Sequence, residues 1–253
     1  MVPDLHGHLP RLQTALNTAR EIPGVSLVFL GDLIDDAPHR RLARRDDRSA
    51  GAPDDSREVL RQVRALHAAG QATVLLGNHE VMAIGAVLDG HEGFLNIWWR
   101  HGGREAAAGY GWRLRDTAGP LPDDLRWLRE HGRLWCSVGP PGQQVLAAHA
   151  TRPNPLRIER GLTLAEFLTP NAQEDPVVWF PLGLEDGCEV QWPLPEGHQA
   201  SVHGHMEWRQ LRTLQGPDHK PAYQLDLEPA IRKLGMLHVN VDGKLTKLLR
   251  SVL

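Results

Sequence analysis

The apolar residues of this chain change spacing along its length, and the changes mark out elements. From Pro10 to Glu21, Leu12, Leu16 and Ala19 share one helical face, and Pro23-Gly24 ends the run, which predicts a helix. The continuous run Val25-Ser26-Leu27-Val28-Phe29-Leu30 predicts a strand. A second helix is expected up to Ala69, capped by Asp54 or Asp55 with Ser56, with Leu60, Val63 and Leu66 inward and Gly70 as its stop. Strand Ala72 to Leu76 then completes a β-α-β unit. Beyond it the pattern predicts a buried helix opening over Val81 to Leu88 and another helix over Asp123 to Glu130, packed by Leu125 and Leu128. Strands Leu134 to Val138 and Gln144 to Ala148 flank the turn cluster Gly139-Pro140-Pro141-Gly142, which predicts antiparallel pairing in a second sheet. Met236 to Val241 and Lys244 to Leu249 surround Asp242-Gly243, a hairpin signal. Gly90 to Pro122 is rich in Gly, His and Trp without a clear period and reads as a cap or insert over about 89–122. Residues 151 to 198 read as irregular, with a short helix near Leu164 to Leu168.

Composition narrows this to one α/β domain spanning 1–253, because 253 residues suffice for a single sizeable core. The formal net charge of −3 implies no polybasic or polyacidic partner, and no nucleic acid is indicated. Cys136 and Cys188 form no paired motif, which argues against a disulfide framework or a thiolate zinc site. No apolar run approaches membrane-span length, so no membrane partner is expected and the default compartment is the cytoplasm. Only Met1-Val2-Pro3 precede Asp4, and Pro3 has no N–H for a ladder. Either the first strand is a stub or the native start lies upstream, and the expectation is a shortened start.

The chemistry gathers where predicted strands end. Leu75-Leu76 runs into Gly77-Asn78-His79-Glu80, an amide, an imidazole and a carboxylate at the place where α/β sheets carry their sites. Asp4-Leu5-His6-Gly7, Gly31-Asp32-Leu33-Ile34-Asp35, the run Val145 to His149, and Ala200-Ser201-Val202-His203-Gly204-His205 deliver further acids and histidines to that edge. Oxygen mixed with imidazole suits Mn, Fe or Zn. Taken singly, Asp4-x-His6 reads as a turn or cap and His149 as a core histidine. Their joint arrival changes the reading. His203 is assigned to packing or to support of the ligands, Glu80 to holding the loop, and Trp98-Trp99 to core, cap or a substrate pocket. Between Asp36 and Asp55, five arginines including Arg40 interleave with Asp46 and Asp47. That stretch is either a solvated loop or an arginine-bearing rim for an anion.

In order and spacing these motifs resemble the calcineurin-like metallophosphoesterases, and among them the bacterial branches of the phosphoprotein phosphatase family. The GDxHG, GDxVDRG and GNHE motifs and two later histidines of that pattern correspond to Pro3 to Gly7, Gly31 to Asp35, Gly77 to Glu80, His149 and His205. Trp99, Gly102-Gly103 and Tyr110-Gly111 are softer matches, and the likeness fades after about residue 210. The resemblance implies a two-sheet αββα sandwich with mixed sheets and helices outside. It implies two divalent metal ions, Mn first and Fe or Zn otherwise. Asp4, His6 and Asp32 would hold one, and Asp32, Asn78, His149 and His205 the other. His79 would be the general acid, oriented by Asp35. The implied activity is hydrolysis of phosphate monoesters, on phosphorylated small molecules or phosphoproteins, by metal-bridged hydroxide attacking in line.

Departures from the pattern leave alternatives open. Asp36-Ala37 stands where the family has Arg-Gly, and Phe180-Pro181 follows Val177-Val178-Trp179 where another phosphate-holding arginine is usual. Arg152 or Arg40 would substitute as the substrate clamp. Otherwise the substrate is a dinucleoside polyphosphate or a phosphodiester, or the chain is a decayed, non-catalytic metal-binding relative. Ala150-Thr151 after His149 is a lesser change. Glu207 stands where related nucleases and cyclic-nucleotide phosphodiesterases carry a last histidine, which favours the phosphoprotein-phosphatase branch and leaves Glu207 as a minor candidate ligand.

Overall fold

The computed structural model describes residues 1–35, 54–154, 192–206, 209–227 and 232–252. In chain order the helical half comprises α1 (Leu9–Arg20), β1 (Leu27–Phe29), α2 (Ser56–Ala68), β2 (Ala72–Val74), α3 (Asn78–Val87), α4 (Glu92–Arg100), α5 (Gly103–Tyr110) and α6 (Pro120–His131). The second half is β3 (Trp135–Val138), β4 (Gln144–Ala148), β5 (His198–His203), β6 (Arg212–Gln215), β7 (Pro221–Gln224), β8 (Lys233–Val239) and β9 (Leu245–Ser251). Among the described residues no helix is long and apolar enough to cross a membrane.

β1 and β2 pair in parallel, as the β-α-β reading requires, and bridges from Val2 to Phe29 and from Leu75 to Arg133 widen the sheet on both sides. Ahead of Asp4, Val2 pairs in parallel with β1. Val2 donates to Val28 at 2.8 Å and accepts from Leu30 at 2.9 Å. The Leu237 amide donates to the Met1 carbonyl at 3.3 Å, which attaches the β8–β9 hairpin beyond Met1. The second sheet runs β3-β4-β5-β7-β6 and is mixed: β4–β5 and β5–β7 are parallel, and the two outer pairs are antiparallel.

Side-chain alternation explains how the two sheets stack. Leu27, Phe29 and Val74 join residues from every described helix in one core, including Leu12, Leu60, Met82, Trp98, Ala106 and Leu125. Val28, Leu30 and Leu75 point the other way, onto Val145, Ala147, Val202 and Leu225 of the second sheet. The first sheet therefore lies between helices and a second sheet, the α/β sandwich expected from the sequence. The predicted helix near Leu164 to Leu168 lies outside the described residues.

The largest departure from the sequence reading is at the GNHE stretch. The apolar run predicts Asn78, His79 and Glu80 at a strand exit with the helix opening at Val81, yet they form the first turn of α3, all of whose residues are buried. Gly77, in extended conformation, caps the helix, and Glu80 in its first turn accepts the Gly77 amide at 2.8 Å. The region with no clear period resolves into α4 and α5, and Phe94 and Trp98, four residues apart, form the buried stripe of α4.

Candidate functional site

Two loops at the sheet edge are zipped together by backbone bonds. Leu5 and His6 both donate to the Asp32 carbonyl, at 2.9 and 2.8 Å, and Gly7 donates to Leu33 at 2.7 Å. Glu80 reaches into the same place. Its Oε2 accepts from the Asp32 amide at 2.8 Å, and its Oε1 from Leu33 and Ile34 at 2.8 and 3.2 Å. Such bonds are needed because His6, Asp32, Asp35 and His205 all adopt positive φ, at 50, 47, 48 and 63°. That conformation costs a non-glycine residue about 1–3 kcal/mol and persists only where its surroundings over-determine it.

Close approach by glycines completes the cradle. A Cβ on Gly77 would stand 2.1 Å from Asp32 Oδ1, and one on Gly204 would stand 2.1 Å from Asp4 Oδ1. Only glycine lets these backbones lie against the two carboxylates.

The donor atoms converge in two sets. His149 Nε2, Asn78 Oδ1 and His205 Nδ1 stand 3.1 Å from one another, and Asp32 Oδ2 is 3.4 Å from His149 Nε2. His149 Nδ1 is directed at the Leu30 carbonyl at 2.9 Å, which sets the tautomer and leaves Nε2 for the cluster. On the other side of Asp32, His6 Nε2 is 3.8 Å from both Asp4 Oδ2 and Asp32 Oδ2. Asp4 Oδ2 accepts from the His205 amide at 2.9 Å, while its buried Oδ1 has no hydrogen-bond partner among the described residues. Ligand atoms of Asp4, His6 and Asp32, and those of Asp32, His149 and His205, each lie within 4.8 Å of one another.

These sets fit divalent cations. One proton on His149 cannot serve an amide oxygen, a second imidazole and a carboxylate at once, whereas a cation between them satisfies all four. Electrostatics points the same way. Burial opposes charge on His149, yet Asp32 and Asp4 lift it to about 9. Burial likewise pushes Asp32 up, but the His149 and His79 imidazoles outweigh it and hold the carboxyl well below its usual range. Burial and the neighbouring Asp226 push Asp4 well above its usual range, a cost that a positive charge among these oxygens would relieve.

His79 forms a third group of candidate donors with His6 and Asp35, all within 4.8 Å of one another, but its Nδ1 is taken up by Asp35. Its Nδ1 meets Asp35 Oδ1 in a short contact, and its Nε2 lies 3.8 Å from Asp32 Oδ2, on the donor side. Burial alone would discharge the ring; Asp35 and Asp32 instead lift it to about 10, while burial raises Asp35 itself to about 7. Asp35 is itself held, its amide donating to Ser56 Oγ at 2.8 Å and its Oδ2 accepting the Trp98 indole N–H at 2.5 Å. Neither Ser56 nor Trp98 was singled out for this from sequence. The available sign was an indole in an otherwise apolar stripe, whose N–H must find an acceptor when buried. Trp98→Phe leaves that carboxylate oxygen buried without its donor. We expect it to cost about 1–3 kcal/mol in urea unfolding and to lower kcat about tenfold, with a smaller change in KM. An unchanged kcat would show that Asp35 is positioned without it.

Arg152 is not brought to this edge, contrary to its expected role as a substrate clamp. It is fully buried, and its guanidinium makes five bonds, to Ser201 Oγ, Asp218 Oδ1 and the carbonyls of Trp192, Lys220 and Pro221. Every N–H is spent on joining chain segments, which leaves none for a ligand. Arg40 and Glu207 lie outside the described residues, as do Asp36-Ala37 and Phe180-Pro181.

His203 packs beside Arg152, its Nε2 3.0 Å from Ser201 Oγ and its Nδ1 3.2 Å from the Ala148 carbonyl. Burial, and then the Arg152 charge, depress it from 6.5 to about 3. In that window the unfolded chain binds the extra proton. The contribution is therefore complete above pH 6.5 and is lost as pH falls toward 3, at about 1.4 kcal/mol per unit. Urea unfolding of chelator-treated protein at about pH 7.5, 6 and 5 should show His203→Gln losing stability less steeply than the wild type. Parallel slopes would contradict this.

A family model for calcineurin-like phosphoesterases matches residues 1–231. Curated proteins give no match. Among solved structures, a protein serine/threonine phosphatase from Saccharomyces cerevisiae with similarity to human phosphatase PP5 superposes with a TM-score of 0.52 at 15% identity, covering 100% of this chain and 79% of that one. A hypothetical protein from Pyrococcus horikoshii OT3 superposes with a TM-score of 0.49 at 12% identity, covering 99% and 86% of the two chains. The likeness to the yeast phosphatase bears on the fold alone.

Proposed function

The chain belongs to the calcineurin-like phosphoesterase family, and from that premise we propose that it hydrolyses phosphate monoesters, of small molecules or phosphoproteins, with two divalent cations. The observation that carries this reading is the meeting of Asp32, Asn78, His149 and His205 donor atoms beside a buried His79–Asp35 pair. Asp4, His6 and Asp32 would hold one cation and Asp32, Asn78, His149 and His205 the other, with Mn favoured and Fe or Zn compatible with mixed oxygen and imidazole donors. Such ions, when bound, screen phosphoryl oxygens and acidify a water molecule.

The protein's own groups account for the rest. His79, kept protonated by Asp35 and Asp32, donates its Nε2 proton to the departing alkoxide. Asp35 fixes the ring orientation, Trp98 and Ser56 fix Asp35, and Glu80 keeps the Asp32 loop against α3. In this reading residues 1–253 act as one domain, with the helices within 89–122 as its cap.

The engagement of Arg152 favours one second reading. With that guanidinium spent, a dinucleoside polyphosphate or phosphodiester would need fewer clamps than a monoester dianion. Protein purified without chelators should contain close to two equivalents of metal. On a panel of aryl monoester, aryl diester and diadenosine tetraphosphate, kcat/KM should be highest for the monoester. A higher value for either of the others selects the second reading. Bound metal with no turnover on any of them selects a non-catalytic relative.

A further inference from the structure

The turn joining α4 to α5, Arg100-His101-Gly102-Gly103-Arg104, places three basic side chains in five positions, all three exposed. It is anchored against the site. Trp98, in the last turn of α4, holds Asp35, and a Cβ on Gly103 would stand 2.3 Å from the Trp98 ring, so glycine there lets α5 start directly against the indole. The Arg104 guanidinium sits over the Trp99 ring, 4.8 Å from its centroid.

His101 is the member of this turn that meets the catalytic machinery. Its ring lies edge-on to that of His79, with centroids 6.1 Å apart and planes at 88°. The opposite kind of neighbour is His6, 4.7 Å away, which is 3% exposed and belongs to the donor sets. His79 itself is 5% exposed. The buried imidazole that protonates a leaving group thus has the ligand cluster among its neighbours and, in His101, one that opens to solvent. If His79 protonates the leaving group of a phosphoryl ester held at the ligands, that leaving group would depart past His79 and away from His6. A leaving group on the solvent side of His79 meets His101.

We propose that His101 donates a hydrogen bond to the leaving group, and that this basic turn selects phosphate monoesters whose leaving group carries a negative charge near the ester oxygen. This rests on the reading of His79 as the general acid. His101 makes the contact, while Arg100 and Arg104, within roughly a Debye length of it along the chain, raise the local positive potential. The substrate class is thereby narrowed to esters whose leaving portion is itself anionic, through a carboxylate or a second phosphoryl group.

Phenyl phosphate and 3-carboxyphenyl phosphate test this, because their leaving groups differ in charge and hardly in basicity. Wild-type enzyme with Mn should prefer the carboxylated ester in kcat/KM by about tenfold, the value of one charge-assisted hydrogen bond. His101→Ala should remove that preference without changing metal content, and His101→Arg should retain it. Calorimetric binding of the two esters to His79→Asn, alone and combined with His101→Ala, should show the same ratio in Kd without turnover. An unchanged ratio in His101→Ala overturns the inference and leaves the phosphatase reading standing. No hydrolysis of either ester by the wild type defeats that reading, and equal binding of both esters by His79→Asn then removes this one with it.

Discussion

Asp32→Asn should lose at least about 10³-fold in kcat/KM and purify with well under the wild-type metal content, because one change removes the carboxylate shared by two ligand sets. Asp32 Oδ2 lies 3.8 Å from His6 Nε2 on one side and 3.4 Å from His149 Nε2 on the other. It is also 3.8 Å from His79 Nε2, and Oδ1 accepts the His79 amide at 3.1 Å. Asparagine keeps the shape and can still accept that amide, so the backbone zipper to Leu5 and His6, which uses the Asp32 carbonyl, survives. What is lost is the charge, which the surrounding imidazoles hold on Asp32 against burial. Elemental analysis beside steady-state kinetics checks both halves. Full activity with full metal would falsify the sharing of Asp32.

His79→Asn should leave metal content intact and act selectively on the leaving group. An alkyl phosphate, whose alkoxide is a poor leaving group, should slow by about 10²–10⁴-fold, whereas 4-nitrophenyl phosphate should slow by less than about tenfold. The reason is geometric as well as electronic. His79 Nδ1 is committed to Asp35, which leaves Nε2, 3.8 Å from Asp32 Oδ2, as the nitrogen on the donor side, and Asp35 and Asp32 raise the affinity of the ring for a proton. Equal losses on both esters would assign His79 a positioning role and remove it as the acid. The Asp35 carboxylate left behind in the variant is buried, so a modest fall in stability is expected alongside and should be measured separately.

How much of this could be read in advance follows from how each residue is placed. Asp4, Asp32, His149 and His205 sit at or just beyond strand ends, and apolar runs in the sequence announce such ends. Asn78 reached the cluster by a route the apolar run did not show. Leu75 and Leu76 look like strand continuing, but a glycine followed three residues later by Glu starts a helix, and the first turn of α3 turns the amide inward. For Arg152, nearness in sequence to His149 is not nearness in direction: four residues past the end of β4, the chain buries its guanidinium among Ser201, Asp218 and three carbonyls. Trp98 and His101 belong to a region without periodicity, where packing decides the helices and where only the buried indole N–H hinted at a role. The positive φ values at His6, Asp32, Asp35 and His205 fall on Asp and His, which adopt that region more readily than other non-glycine side chains, but residue type alone does not say which Asp or His will do so.

The donors are divided between the two layers of the sandwich. Asp4, His6, Asp32 and Asn78 come from the half of the chain that builds the first sheet, His149 and His205 from the half that builds the second, and Val28, Leu30 and Leu75 pack against Val145, Ala147 and Val202 across the seam between them. A nascent chain released only as far as residue 140 carries four of the six donors and cannot grip a cation with the full set. The set of Asp4, His6 and Asp32 is already complete in that fragment, whereas a cation held by Asp32, Asn78, His149 and His205 would need both layers and would rivet them together across that seam.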